Sequence, residues 1–440
     1  MEDNNTAQMP LGIYIHIPFC IKKCDYCDFL SGSAEPEIRQ AYLEALLGEI
    51  RMNRNLHIIG SRDKEREDAQ KQEQYQEKEW EADFLVRSVF FGGGTPSILS
   101  GQAVGEILAA LRERFSFDSD AEISLEANPG TVTEEKLALW KEAGVNRLSF
   151  GLQSADNREL TLLGRIHTFE QFLESWELAA KAGYGNRNID LMSALPGQTV
   201  ESWERTLKTV AALKPEHLSA YSLIIEEGTP FYQRFADPEC PDFALLPDEE
   251  AEREMYWLTC RELKKYGYQR YEISNYALPG FACRHNCSYW EGVRYLGFGV
   301  GAASYIMEET AQTMEICETG AMGNPELKTA AETYIRLRNV ADTAEYIRRM
   351  KLGLSPVEER LELTAKDRME EFMFLGLRMK KGISFQDFRR RFGCSFDQIY
   401  REVTETLKGQ GLVTETEAGI CLTDYGIDVS NYVFGAYLLS

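Results

Sequence analysis

Three cysteines, Cys20, Cys24 and Cys27, stand in the segment GIYIHIPFCIKKCDYCDF over residues 12–29, directly behind a short alternating apolar run. Thiolates spaced Cys-x3-Cys-x2-Cys can hold three irons of a [4Fe–4S] cube and leave the fourth iron open to another ligand. Three thiols are one short of a closed tetrahedral zinc site. They are also an odd number for disulfides. The alternatives are a zinc site completed from elsewhere in the chain, or a trio of buried cysteines. Lys22 and Lys23 would offset part of the negative charge of a cluster held here.

Position supports the spacing. Ile13, Ile15 and Ile17 alternate with Tyr14 and His16, and Pro18 ends the run, which predicts a strand with the cysteine loop at its C-terminal end. Folds that alternate strands with helices place their sites at that end. Up to about residue 225 one theme recurs: a short β-rich run, a loop with Gly or Pro, then an amphipathic stretch. Strands are expected at 12–17, 87–91, 121–126, 147–151, 187–192 and 217–224. Helices are expected at roughly 36–54, 102–114, 133–143, 168–183, 200–213 and 248–267. Six strands alternating with helices predict parallel βαβ units and an α/β fold.

Polar residues mark the ends of these strands. VFFGGGTPSIL, residues 89–99, puts three glycines behind the second strand, where the backbone can approach a ligand with no side chain in the way. ISLEANPGT offers Glu126, RLSFGLQS offers Gln153, LLGRIHT offers Arg165 and NIDLMSALPGQT offers Asp190. Each alone is more often a cap or a satisfied core group. Four of them at successive strand ends or the following loops converge on one mouth.

The rest of the chain sets bounds. With 440 residues, 44% of them hydrophobic, it can bury a large core and a smaller second one. The net charge of −22 argues against nucleic acid as a partner and against an anionic membrane surface. No apolar stretch is long enough to span a bilayer, and the first eleven residues do not read as a secretory signal. Ten cysteines in a chain of this size suit a reducing cytoplasm. Residues 61–83 are almost all charge and glutamine, and are expected to be a solvated or disordered insertion. From about 356 the pattern becomes three helices and a hairpin, a small winged-helix-like α+β domain. Arg389, Arg390 and Arg391 there are expected on a solvated helix face. The division is 1–230, a barrel-extending region 231–355, and 356–440.

A second motif, HNCSYW at 285–290, places His285 between Cys283 and Cys287 with Tyr289 and Trp290 behind. Together with the three-cysteine loop it makes almost the whole chain resemble the radical S-adenosylmethionine (SAM) superfamily. The resemblance is to its oxygen-independent coproporphyrinogen III oxidase branch, and to the heme-chaperone group within it. That resemblance implies a partial (β/α)6 barrel of the TIM type. It also implies a [4Fe–4S] cluster whose open iron binds SAM, and one-electron cleavage of the sulfonium to a 5′-deoxyadenosyl radical. Gly93, Gly94, Thr95 and Glu126 fall on SAM positions, and Tyr14 and Tyr26 on positions flanking the sulfonium and adenine. Gln153, Arg165, Asp190 and Ile224 fall around a second SAM or neighbouring ligand, and Ala303 on a further SAM contact. His285 falls on the expected heme contact; a hydrogen-bonded core histidine is the alternative. Implied partners are heme, heme-accepting respiratory membrane proteins, and an electron donor such as flavodoxin or ferredoxin. The alternatives are a coproporphyrinogen dehydrogenase, a radical methyltransferase, or a winged-helix nucleic-acid binder. Phe29 stands where the true oxidases carry a further cysteine, which weighs against the first of these.

Overall fold

The computed structural model describes residues 8–52, 84–310 and 331–439, so the charged segment at 61–83 lies outside the described residues. The N-terminal half alternates β1 (Met9–Ile17), α1 (Pro36–Arg51), β2 (Phe84–Gly93), α2 (Gly101–Arg114), β3 (Ser116–Ala127) and α3 (Glu134–Ala143). It continues with β4 (Arg147–Gln153), the short α4 (Asn157–Leu162), α5 (Phe169–Lys181), β5 (Arg187–Ser193), α6 (Val200–Ala211) and β6 (His217–Ser222). Strands β1 to β6 lie in that order, all parallel. Every expected strand and helix of this half is present.

Local chemistry sets the helix starts. Thr168 and Thr199 each accept from the backbone three residues on, and Gln171 and Ser202 reach back to complete capping boxes. α3 ends on Gly144 at φ +100°, the left-handed conformation glycine adopts at low cost. Ile13, Ile15 and Ile17 are fully buried and His16 on the other face is 7% exposed, so β1 is covered on both faces as parallel strands require.

Past β6 come α7 (Pro230–Phe235), α8 (Glu249–Lys265), β7 (Gln269–Arg270), β8 (Asn275–Ala277), α9 (Arg284–Trp290) and β9 (Tyr295–Phe298). β10 (Ala303–Thr310), β11 (Ala331–Asn339), α10 (Thr343–Lys351) and β12 (Val357–Leu363) follow. β9 pairs parallel with the free side of β1, and β10, β11 and β12 extend that edge antiparallel. β8 and β7 extend the opposite edge from β6. The result is one open sheet of twelve strands, in the order β12-β11-β10-β9-β1-β2-β3-β4-β5-β6-β8-β7.

The C-terminal unit comprises α11 (Ala365–Arg378), β13 (Ile383–Ser384), α12 (Phe385–Phe392), α13 (Phe396–Gly409), β14 (Val413–Glu415) and β15 (Gly419–Leu422). It ends in α14 (Asp424–Asp428) and α15 (Ser430–Ala436). α11, α12, α13 and α15 with a three-stranded sheet, β13-β15-β14, enclose a separate core around Phe388, Phe396 and Tyr400. This is the winged-helix outline. Two details differ from the sequence expectation. β12 belongs to the large sheet, so the chain leaves that sheet at Leu363, not 356. Arg389 and Arg390 are exposed, but Arg391 turns inward and donates to the Glu291 carbonyl at 2.6 Å.

Candidate metal centre and cofactor site

The cysteine loop leaves the top of β1 and is pinned on both sides by backbone. Cys20 donates its N–H to Gly32 O at 2.9 Å, and Gly32 to Pro18 O at 2.9 Å. From β2, Gly94 donates to Ile17 O and Thr95 to Phe19 O, both at 2.8 Å. The glycines make this approach possible. A Cβ on Gly94 would lie 2.7 Å from Phe19 O and 3.0 Å from Ile17 O, and one on Gly93 (φ +108°) would lie 2.6 Å from the His16 ring. Gly94→Ala should therefore destabilise the fold by about 1–3 kcal/mol, because the obstructing atoms are backbone and cannot rotate away. Urea unfolding of the mutant should show an earlier midpoint, with reduced cluster loading.

Two of the three sulfurs already receive hydrogen-bond donors. Arg165 donates through Nη1 to Cys24 Sγ at 3.5 Å and through Nη2 to Asn128 Oδ1 at 2.8 Å. Asn128 donates through Nδ2 to Thr95 Oγ1 at 3.0 Å, and Thr95 donates to Cys20 Sγ at 3.5 Å. One continuous chain of donors thus runs from a guanidinium to two thiols, the kind of outer shell that stabilises anionic sulfur. Burial pushes the Cys27 thiol up. The Phe29 N–H and Lys23 act against this, while Cys24 and Cys20 add to it. All three thiols therefore share one locale. A cube takes each thiolate on a different iron, and three thiols held in one loop with donors on two of their sulfurs fit that demand.

Glu126 reaches Gly93 and Tyr26 reaches Arg165 beside the cysteine loop, and Asp190 lies midway along β5 within electrostatic reach of Glu126. Glu126 at the end of β3 is pushed up to about 8, by burial first and then by the charge of Asp190, against the Gly93 N–H and Arg147. Burial also raises Asp190, while Asn188, Ser219, Arg147 and Ser149 oppose the rise; Asn188 donates to its Oδ1 at 2.7 Å. Gln153 ends β4 at φ +74°, and a Cβ on Gly151 would sit 3.3 Å from its amide and 3.4 Å from Arg165. Tyr14 Oη lies 3.1 Å from His16 Nδ1, and Tyr26 packs edge-on against Phe231 with centroids 6.3 Å apart. Ile224, 67% exposed, stands on the rim past β6. Ala303 opens β10 behind the 299–302 turn; a Cβ on Gly301 would meet Leu30 of the cysteine loop at 2.6 Å.

His285 is elsewhere. Its Nδ1 lies 2.9 Å from Ser88 Oγ and its Nε2 3.1 Å from Tyr289 Oη. The ring stacks on Phe90 at 5.2 Å and is 1% exposed. Ser88 is five residues before Gly93 on β2, so the imidazole sits roughly 16 Å below the mouth. Burial, then the charge of Arg147, lowers its pKa to about 3. Both ring nitrogens are engaged by hydroxyls.

Three residues that the sequence reading passed over matter here. Asn128, two places after Glu126 in the quoted strand end, links Arg165 to Thr95. His16 fastens the loop by hydrogen-bonding Leu30 O at 2.9 Å. Arg147 is 1% exposed inside the sheet's curve, and its Nε and Nη1 have no hydrogen-bond partner among the described residues. A polar residue closing a strand signal could have pointed to Asn128. Nothing local points to Arg147.

Known proteins resemble this chain in sequence and fold. Residues 14–210 match the Radical SAM superfamily and residues 363–429 the HemN C-terminal domain. Heme chaperone HemW of Lactococcus lactis subsp. lactis (strain IL1403) is 34% identical over 98% of both chains. HemW of Bacillus subtilis (strain 168) is 34% identical over 97% of this chain and 98% of that one. The solved structure of coproporphyrinogen III oxidase (HemN) from Escherichia coli superposes with a TM-score of 0.73 at 24% identity, covering 98% of this chain and 92% of that one. The oxidase shares the fold, and the relatives matched end to end settle the lineage: this chain belongs to the HemW family of the radical SAM superfamily.

Proposed function

We propose that this protein is a cytoplasmic heme chaperone that carries a [4Fe–4S] cluster on Cys20, Cys24 and Cys27, binds SAM beside it, and delivers heme to respiratory membrane proteins. The observation that carries the cluster assignment is the donor chain from Arg165 through Asn128 and Thr95 onto Cys24 and Cys20. Bound there, the cluster and SAM would supply one-electron chemistry. Gly93 and Gly94 let the backbone after β2 close on the cysteine loop, and Thr95 would hold the Cys20 sulfur. Glu126, whose carboxyl burial and Asp190 push up to about 8, would be drawn toward its ionised form by the positive charge of SAM. Tyr14, Tyr26, Gln153, Asp190, Ile224 and Ala303 complete the surroundings of one or two SAM molecules. Exposed Lys22 and Lys23 beside Ile21 and Phe29 suit an electron donor such as flavodoxin or ferredoxin. No helix among the described residues is long and apolar enough to cross a membrane.

Heme delivery rests on membership of the HemW family. It is tested by anaerobic reconstitution, followed by heme titration and an assay for coproporphyrinogen conversion on the same preparation. A cluster-loaded protein that binds heme and leaves coproporphyrinogen unchanged is expected. Turnover of coproporphyrinogen without heme binding would replace the chaperone with an oxidative decarboxylase.

A further inference from the structure

A cavity of about 1230 Å³ lies at the other end of the molecule from the cysteines, between the start of β1 and the C-terminal unit. Met9 and Pro10 are on its wall, whereas Cys20 follows Ile17. The strand between them separates the cavity from the cluster loop by roughly 25 Å. One wall is a ladder of tyrosines on the sheet: Tyr289 and Tyr295 with centroids 4.7 Å apart, Tyr295 and Tyr305 at 6.2 Å, Tyr305 and Tyr334 at 5.8 Å. Phe372 and Phe392 of the C-terminal unit face it. The indole Nε1 of Trp290, also on the wall, is buried without a hydrogen-bond partner among the described residues.

The charge of this wall is opposite to that of the chain. Its carboxylates are all paired: Glu371 with Arg336 at 2.8 Å, Glu291 with Lys381 at 2.5 Å, and Asp387 with Arg390 at 2.8 Å. Arg294, Arg368 and Arg391 also line it and make no ion pair within 4 Å among the described residues, although the charge of Asp387 reaches Arg391. The Arg368 guanidinium lies 3.4 Å from the Tyr334 centroid, Arg391 lies 5.4 Å from that of Phe372, and Arg294 rests against the sulfurs of Met9 and Met307. Aromatic faces with surplus guanidiniums between them suit a flat aromatic body that carries carboxylates.

We infer that this cavity is the seat of the tetrapyrrole, with Arg294, Arg368 and Arg391 pairing its propionates and the tyrosine ladder and Phe372 covering its plane. The inference rests on the heme reading above and adds its location. At roughly 25 Å from the cluster the ligand is out of reach of hydrogen abstraction, which needs reacting atoms about 3–3.5 Å apart. A tetrapyrrole seated here is cargo, not substrate.

The test is hemin titration of the full-length, cluster-loaded protein, alongside hydrogen exchange with and without hemin. Arg368→Gln combined with Arg391→Gln should weaken hemin binding about tenfold or more, with cluster content unchanged. Hemin dimethyl ester should bind the wild type as weakly as hemin binds the double variant. Hemin should protect segments 289–295 and 383–392 from exchange, a readout that needs no mutant to fold. Protection at 21–30 and 221–226 instead would overturn the location while leaving heme binding intact. Protection of the cavity by ADP and not by hemin would overturn the ligand class. Absence of hemin binding by the wild type would overturn both this inference and the heme reading it rests on.

Discussion

Cys24→Ala should leave the chain folded and unable to hold iron. Reconstituted anaerobically, the mutant should fall from about four irons per chain to under one, losing the brown chromophore and any SAM-induced change in its EPR spectrum. Cys24 is half-buried and its Sγ has one modest contact, Arg165 at 3.5 Å, so the apo mutant should melt within about 1 kcal/mol of the wild type. That combination separates a ligand from a packed core thiol. Two thiolates and the Thr95–Asn128–Arg165 chain would survive the mutation, yet two iron corners cannot hold a cube against hydrolysis. A full four-iron cluster in the mutant would defeat the assignment. So would stoichiometric zinc in the anaerobic wild type.

What the sequence made legible was local. The cysteine spacing, the alternation of Ile13, Ile15 and Ile17, and the glycines behind β2 each sit within one short segment, and the structure assembles them as their chemistry requires. Glu126, Gln153 and Asp190 were visible because a polar residue interrupted an apolar run. Arg147 was not visible, because it opens β4, where a cation reads as an ordinary surface residue. Only the closure of β3 and β5 beside it, with Glu122 and Asp190, makes it a buried charge. The cavity at the base was hidden for the same reason. Its arginines come from three separate segments, the approach to β9, α11 and α12, and Arg391 reads from its neighbours as one of three solvated arginines. The HNCSYW segment was legible as a motif but not as a geometry. α9 turns His285 into the sheet and carries Tyr289 and Trp290 to the cavity, so one motif serves two places.

His285→Ala should therefore act on stability before it acts on heme. The imidazole bridges Ser88 and Tyr289 and stacks on Phe90, so its removal leaves a cavity and two unpaired hydroxyls, at a cost of about 2–4 kcal/mol. Heme affinity measured well below the mutant's melting temperature should stay near that of the wild type. A pH series provides the independent check. The folded-state pKa of about 3 lies below the unfolded value of 6.5, because burial and then Arg147 disfavour the charged ring. The native state must keep this ring neutral, so its contribution is fully present above about pH 6.5 and is lost as pH falls toward 3. Against a His285→Gln variant, the wild type's stability advantage should shrink by about 1.4 kcal/mol for each pH unit below 6.5. Denaturant unfolding of both proteins between pH 7.5 and 5 measures that slope directly. Unchanged stability together with a lost Soret shift would restore His285 as an iron ligand. It would then require Tyr289 to swing away from Nε2 when heme enters.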